Sequence, residues 1–149
     1  MAAAARRSAL FRDYAESHRH PVNRAIHLIA IPLIVFQVLA MLDWIRLGPL
    51  PGGLGELTLA HVAVLAAAAW YFWLEPRLGL ALSLIFILLF PLARLTPRPL
   101  VVALGVAAWA LQLLGHWRYE RRSPAFLHNL AHLLIGPAYF VAPLVGVRR

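Results

Sequence analysis

The sequence predicts an all-α bundle embedded in a membrane. Of its 149 residues, 62% are hydrophobic and only 13% charged, with a mean hydropathy of +0.73. Soluble domains carry roughly a quarter charged residues, so this chain lacks the polar surface that water requires. Its apolar runs approach the roughly 20 residues needed to cross a bilayer, and Pro, Gly and Arg mark the breaks between them. The expected architecture is a single domain with four spans and a fifth, C-terminal helix that is spanning or re-entrant.

The elements follow in chain order. Residues 1–20 carry Arg6, Arg7, Arg12 and Arg19 with no apolar core or small-residue cleavage site, so a tail is expected here and no cleaved signal peptide. The first span, 25–45, opens after Pro21 and Asn23 and closes at Arg46, before the turn-rich Gly48-Pro49-Leu50-Pro51-Gly52-Gly53. Pro fits the first helical turn, and Gly/Pro clusters end helices. The second span, 57–74, meets the third, 78–92, across Glu75-Pro76-Arg77, which reads as a tight helical hairpin. The third is short for a span and must tilt or thin the bilayer. Pro97 and Pro99 precede the fourth, 100–114, which runs into the charged stretch His116 to Arg122. A last segment, 125–147, is interrupted by His128, Asn129, His132, Gly136, Pro137 and Pro143.

All fourteen basic residues are Arg, and with six acidic residues the net charge is +8. They stand singly or in pairs at segment ends, where they orient helices and meet anionic headgroups. No basic stripe with interleaved aromatics supports nucleic-acid binding. The Arg-rich N-terminus is expected in the cytoplasm, with the stretch Arg118, Arg121 and Arg122 returning there after four spans. The membrane would be the inner one in a bacterium and the endoplasmic reticulum in a eukaryote. Cysteine is absent, which removes disulfides, thiolate metal sites and thiol nucleophiles.

The histidines carry the chemistry. His18, His20, His27, His116, His128 and His132 all fall near one predicted membrane face, and His61 falls at the other. A lone interfacial histidine is usually just that. Six together point to one site, because imidazole is the commonest metal ligand and titratable groups within a bundle mark function. Asn23 and His27, His116 and Glu120, and His128 and His132 are each four apart, so each pair shares a helix face, an arrangement from which bundles build metal sites. Pro21 starts a helix and leaves His18 on a preceding segment that folds back. His20 reads as a cap or exposed residue, and His61 as interfacial. Imidazoles with at most one carboxylate suit zinc or iron, and spacing alone leaves both open.

Two motif blocks, Tyr14-x3-His18-x4-Asn23-x3-His27-x4-Pro32 and Gln112-x2-Gly115-His116-x3-Glu120-x3-Pro124-Ala125-x3-Asn129-Leu130, resemble the Mpo1-like family over nearly the whole chain. The resemblance implies a membrane dioxygenase that uses Fe2+ and molecular oxygen to shorten long-chain 2-hydroxy fatty acids by one carbon, as in fatty-acid alpha-oxidation. It implies His18, His27 and His116 as iron ligands, with His132 as a candidate fourth. Glu120, Asn23 and Gln112 become groups that orient imidazoles or move protons. Arg121 and Arg122 are placed to attract the substrate carboxylate, and Tyr14 and Asn129 join them as substrate contacts. The acyl chain would lie between helices, in contact with membrane lipid. Two other readings accompany this one: a zinc-dependent lipid hydrolase with Glu120 as general base, and a helical scaffold or haem-binding subunit.

Overall fold

A computed structural model describes residues 2–53, 55–124, 126 and 129–148. Helix α1 (Ala2–Glu16) leads to α2 (Pro21–Asp43). Pro21 occupies the first turn of α2 and His20 caps it, with the Val22 N–H donating to His20 Nδ1 at 3.2 Å, as the cap reading expects. A small hairpin follows, β1 (Arg46–Pro49) paired antiparallel with β2 (Glu56–Thr58), with Arg46 opposite Thr58 and Pro49 opposite Glu56. Gly52 and Gly55, at φ of 69° and 103°, supply the left-handed backbone of its loop. Helices α3 (Leu59–Leu74) and α4 (Pro76–Leu95) are separated only by Glu75. That residue is extended, at φ −165° and ψ 116°, because Pro76 disfavours the helical conformation of its predecessor. Helix α5 (Arg98–Gly115) continues into a π-helical turn, His116–Glu120. Helix α6 (Ala131–Val141) and a 3-10 turn (Ala142–Val145) complete the described elements.

Among the described residues, three segments are long and apolar enough, by length and composition, to cross a membrane: Pro21–Asp43, Pro76–Leu95 and Arg98–Glu120. This corrects two expectations about the spans. The third apolar run is full length, since the helix starts at Pro76 and passes Pro91 to reach Leu95, whereas the second gives only the 16 residues of α3. The C-terminal segment 125–147 holds no spanning helix among its described residues. The 11 residues of α6 rise about 16 Å, against a hydrocarbon core of roughly 30 Å. Ile135, Gly136, Pro137, Ala138 and Tyr139 are instead buried against the bundle.

The N-terminus also differs from the expected tail. Phe11, Tyr14 and His18 recur at spacings of three and four, and Phe11 and Tyr14 are buried where α1 packs on α6 and α3. Arg7 pairs with Glu75 at the α3–α4 corner, and the Arg6 guanidinium lies 4.1 Å from the centre of the Trp73 ring. The Tyr71 hydroxyl donates to the Leu134 carbonyl at 2.8 Å, tying α3 to α6.

Helix α2 packs most extensively on α5. The buried face of α5 is Val101, Gly105, Ala108, Gln112 and Gly115, small residues that let two apolar helices approach closely without a hydrophobic drive from water. Outward faces are apolar as well: Ile29, Leu65, Leu88 and Val106 are all exposed, Leu65 by 73%. Lipid is the solvent that accommodates such a surface. The antiparallel run of α2 and α5 brings the start of one to the end of the other.

At the α3–α4 corner, a Cβ on Gly79 would stand 2.8 Å from the Phe72 Cα. Because that contact is with backbone, no side-chain rotation relieves it. Gly79→Ala is expected to destabilise the protein by about 1–3 kcal/mol, seen as a lowered unfolding midpoint in detergent. Ala66→Leu, on an exposed face of α3, should leave the midpoint unchanged.

Candidate metal centre

Three imidazoles meet at the joined ends of α2 and α5. Their ring centroids form a near-equilateral triangle: His18–His27 4.5 Å, His18–His116 4.7 Å and His27–His116 4.8 Å, with the rings at 72–84° to one another. All three are buried. One nitrogen from each lies within 4.8 Å of the others, so the three can hold a single metal ion.

Local backbone fixes which nitrogen faces inward. The Nδ1 of His18 lies 2.7 Å from the Tyr14 carbonyl, and the Nδ1 of His27 lies 2.8 Å from the Asn23 carbonyl, each four residues earlier. A carbonyl only accepts, so both Nδ1 atoms carry the proton and both Nε2 atoms present lone pairs. The His27 and His116 Nε2 atoms stand 3.0 Å apart. Two ligands at right angles on an ion with bonds of about 2.1 Å would have this same spacing, roughly 3.0 Å. Burial, with a smaller contribution from the neighbouring imidazoles, lowers the His18 pKa to about 3, so this ring is neutral at physiological pH and free to ligate. The donor set fits a divalent ion that accepts imidazole.

The surroundings hold this geometry. Tyr14 stacks on His18 with centroids 3.9 Å apart and planes 15° apart. Arg24 Nε donates to the His18 carbonyl at 2.7 Å. Glu120 accepts at Oε1 from the His20 N–H at 2.9 Å and from Asn23 Nδ2 at 3.0 Å. The expected His116–Glu120 pairing takes another form, because the π-helical turn directs the carboxylate to the start of α2. π-Turns inside helices are frequent at functional sites.

The triad lines a cavity of about 40 Å³ together with Tyr14, Gln112 and His132. His132 lies outside the triad. Its Nε2 donates to Asp13 Oδ2 at 2.8 Å, which leaves Nδ1 buried with no hydrogen-bond partner among the described residues, as is Gln112 Oε1. Sequence reasoning gave Asp13 no role. The helical spacing of Phe11, Tyr14 and His18 is the signal that would have placed Asp13 on α1, though its α6 partner is set by packing.

Other expected site residues stand apart. Arg121 and Arg122 are exposed on the loop after the π-turn, with Arg121 in the left-handed region at φ 52°. Asn129 is exposed and accepts at Oδ1 from the Ala131 N–H at 3.0 Å, capping α6. His61 is at the opposite end of the bundle, where its Nδ1 accepts from the Thr58 N–H at 3.1 Å, in keeping with its expected place. His128 lies outside the described residues.

A family model described as 2-hydroxy-palmitic acid dioxygenase Mpo1-like matches residues 5–147. The chain belongs to the Mpo1-like family. It is 29% identical over 129 residues to the 2-hydroxy-palmitic acid dioxygenase MPO1 of Saccharomyces cerevisiae, an alignment covering 83% of this chain and 70% of that relative. No solved structure matches it. The Mpo1-like match takes in every residue of the triad and its supports.

For this Mpo1-like chain, His18→Ala, His27→Ala and His116→Ala are each expected to lose most of the bound metal, measured by elemental analysis of purified protein. His61→Ala and His132→Ala should retain it. A Cβ on Gly115 would stand 2.4 Å from Asn23 Oδ1, so Gly115→Ala displaces the amide that links Glu120 to α2. Loss of such a support lowers metal affinity by about 10–100-fold, which a chelator competition titration would register.

Proposed function

We propose that the protein is a membrane-embedded, Fe2+-dependent dioxygenase that shortens long-chain 2-hydroxy fatty acids by one carbon. The observation that carries this reading is the buried triad of neutral imidazoles opening onto an apolar cavity, in a chain of the Mpo1-like family. His18, His27 and His116 would hold the iron. When bound, ferrous iron supplies the one-electron chemistry through which ground-state oxygen reacts with an organic acid. The overall change, 2-hydroxy acid and one O2 to the shorter acid, carbon dioxide and water, balances in atoms and electrons without 2-oxoglutarate or another co-substrate.

The chain's own residues prepare the site. Tyr14 and the Tyr14 carbonyl fix the plane and tautomer of His18, and the Asn23 carbonyl does the same for His27. Through its side chain, Asn23 also ties Glu120 to the helix that carries His27. Gln112 Oε1 and His132 Nδ1 are buried acceptors without a donor among the described residues, and a substrate hydroxyl is a donor. Asp13 holds His132 by its Nε2–H, so Nδ1 is the nitrogen that receives the hydroxyl proton. Arg121 and Arg122, exposed beside the π-turn, draw the carboxylate toward this end of the bundle. Triad and Arg-rich N-terminus share that end, which we place at the cytoplasmic face on the count of Arg in short loops.

The test is conversion of a 2-hydroxy fatty acid by the iron-loaded protein in detergent, followed by product mass with isotopic oxygen. Oxygen-dependent formation of the acid one carbon shorter is expected, with label in the new carboxylate. Glu120→Gln should keep iron better than any of the three ligand variants yet turn over about 10²-fold more slowly, since it alters a support and not a ligand. Equal conversion without oxygen, or activity on an ester or amide lipid with zinc alone, would replace this reading with the hydrolase.

A further inference from the structure

A second cavity continues from the metal pocket along α2. Its volume is about 320 Å³, and it shares Ile34, Val35, Leu133 and Pro137 with the pocket at the histidines. One face of α2 lines both in succession: His27 and Ile31 beside the triad, Ile34 and Val35 at the junction, then Val38, Leu39 and Leu42 beyond it. From His27 to Leu42 this face rises about 22 Å. One leaflet of hydrocarbon, the space that a long acyl chain fills, is roughly 15 Å thick.

The facing wall is α3, which returns alongside α2 and contributes Ala60, Ala63, Val64 and Ala67. Alanine at three of these four positions is what leaves the space open. Beyond the end remote from the histidines, next in the chain to Leu42 and near Ala60, stands a polar network. Thr58 Oγ1 donates to Asp43 Oδ1 at 2.8 Å, and Arg94 Nε and Nη2 hold the two Asp43 oxygens at 2.8 and 3.1 Å. Ala60 is fully buried beneath it. A methyl end reaching Leu42 and Ala60 meets these charges and stops, because an apolar chain cannot replace their hydrogen bonds.

We propose that this cavity receives the substrate's acyl chain, methyl end toward Leu42 and Ala60, and that the alanines of α3 set the longest chain accepted. The proposal rests on the functional reading above for its substrate. Continuity with the triad decides the occupant: of the two apolar cavities that share lining residues with the histidine pocket among the described residues, this one is the larger, about 320 Å³ against about 140 Å³, and it alone reaches Leu42 at the far end of α2.

Chain-length profiles on saturated 2-hydroxy acids test the ruler. Ala67→Leu, nearer the junction, should lower turnover of the longest wild-type substrates by about tenfold or more while shorter chains stay within about twofold. Ala63→Leu, nearer the floor, should affect only the longest. Ala66→Leu, exposed on α3, should leave the profile unchanged, and all three should keep their metal. Independently, metal-free wild-type protein is irradiated with a 2-hydroxy acid carrying a diazirine at its methyl end, and the adduct is mapped by peptide mass spectrometry. Label within 38–42 or 60–67 supports the cavity. Label elsewhere, or a uniform loss of activity at every chain length, overturns it. If label maps to the cavity but no 2-hydroxy acid is consumed with iron and oxygen, the acyl site stands and the dioxygenase reading falls. An active wild type with misplaced label gives the reverse.

Discussion

The junction between the start of α2 and the end of α5 is the constraint on which the rest of the molecule depends. Glu120 binds the His20 N–H and the Asn23 amide, joining residues about a hundred positions apart in the chain. Those two helix ends carry His27 and His116, and Arg24 Nε on α2 donates to the His18 carbonyl. A carboxylate that satisfies two donors at a helix N-terminus is favoured by the orphan N–H groups and by the helix dipole there. Fixing that one contact fixes the distances within the triad.

Burying three imidazoles in an apolar bundle costs free energy unless every ring nitrogen is used. The structure answers this for two of the three rings with a repeated local device: each of His18 and His27 turns Nδ1 back onto the carbonyl four residues earlier, while His116 Nδ1 has no hydrogen-bond partner among the described residues. What remains is a set of inward lone pairs in a small cavity, an environment that favours a cation over protons. Helix α1 completes the arrangement from outside the bundle core. Phe11 and Tyr14 pack it against α6 and α3, and its end delivers His18 beneath the Tyr14 ring. The two apolar surfaces of this protein have different uses. The outer one meets lipid, and the inner one runs from the triad along α2 to the polar floor at Asp43 and Thr58.

Much of this was legible in the chain. Pro21, Pro76 and Pro97 mark three helix starts because proline removes a backbone donor and restricts the residue before it. The triad histidines stood out as members of a group of six, because histidine has few reasons to recur at one end of apolar segments. Helix α1 was harder to read: its apolar signal is diluted by Arg6, Arg7 and Arg12, and its buried face is covered only when α6 and α3 pack on it. The hairpin 46–58 was hidden by a Gly/Pro composition that fits any turn. Span lengths went astray at α3 and α4 because hydropathy marks where apolar residues stop, whereas a helix runs on through Arg77, Arg94 and Pro91 while its hydrogen bonds hold.

By itself, then, the sequence determined the apolar surroundings, the helical class and the gathering of histidines at one end of the apolar segments, all of which follow from composition and local stereochemistry, while the choice of three of those histidines came from the resemblance to the family. Only the tertiary structure decided the partners. His132 is held by Asp13 across α1 and α6, and Glu120 turns to α2 through a π-helical turn. Each is a contact between groups distant in the chain or a departure from ideal helical geometry, and neither is written in spacing. Whether a polar side chain faces a cavity, a cap or solvent depends on which other helix fills the space beside it, and packing sets that only once the whole bundle has closed.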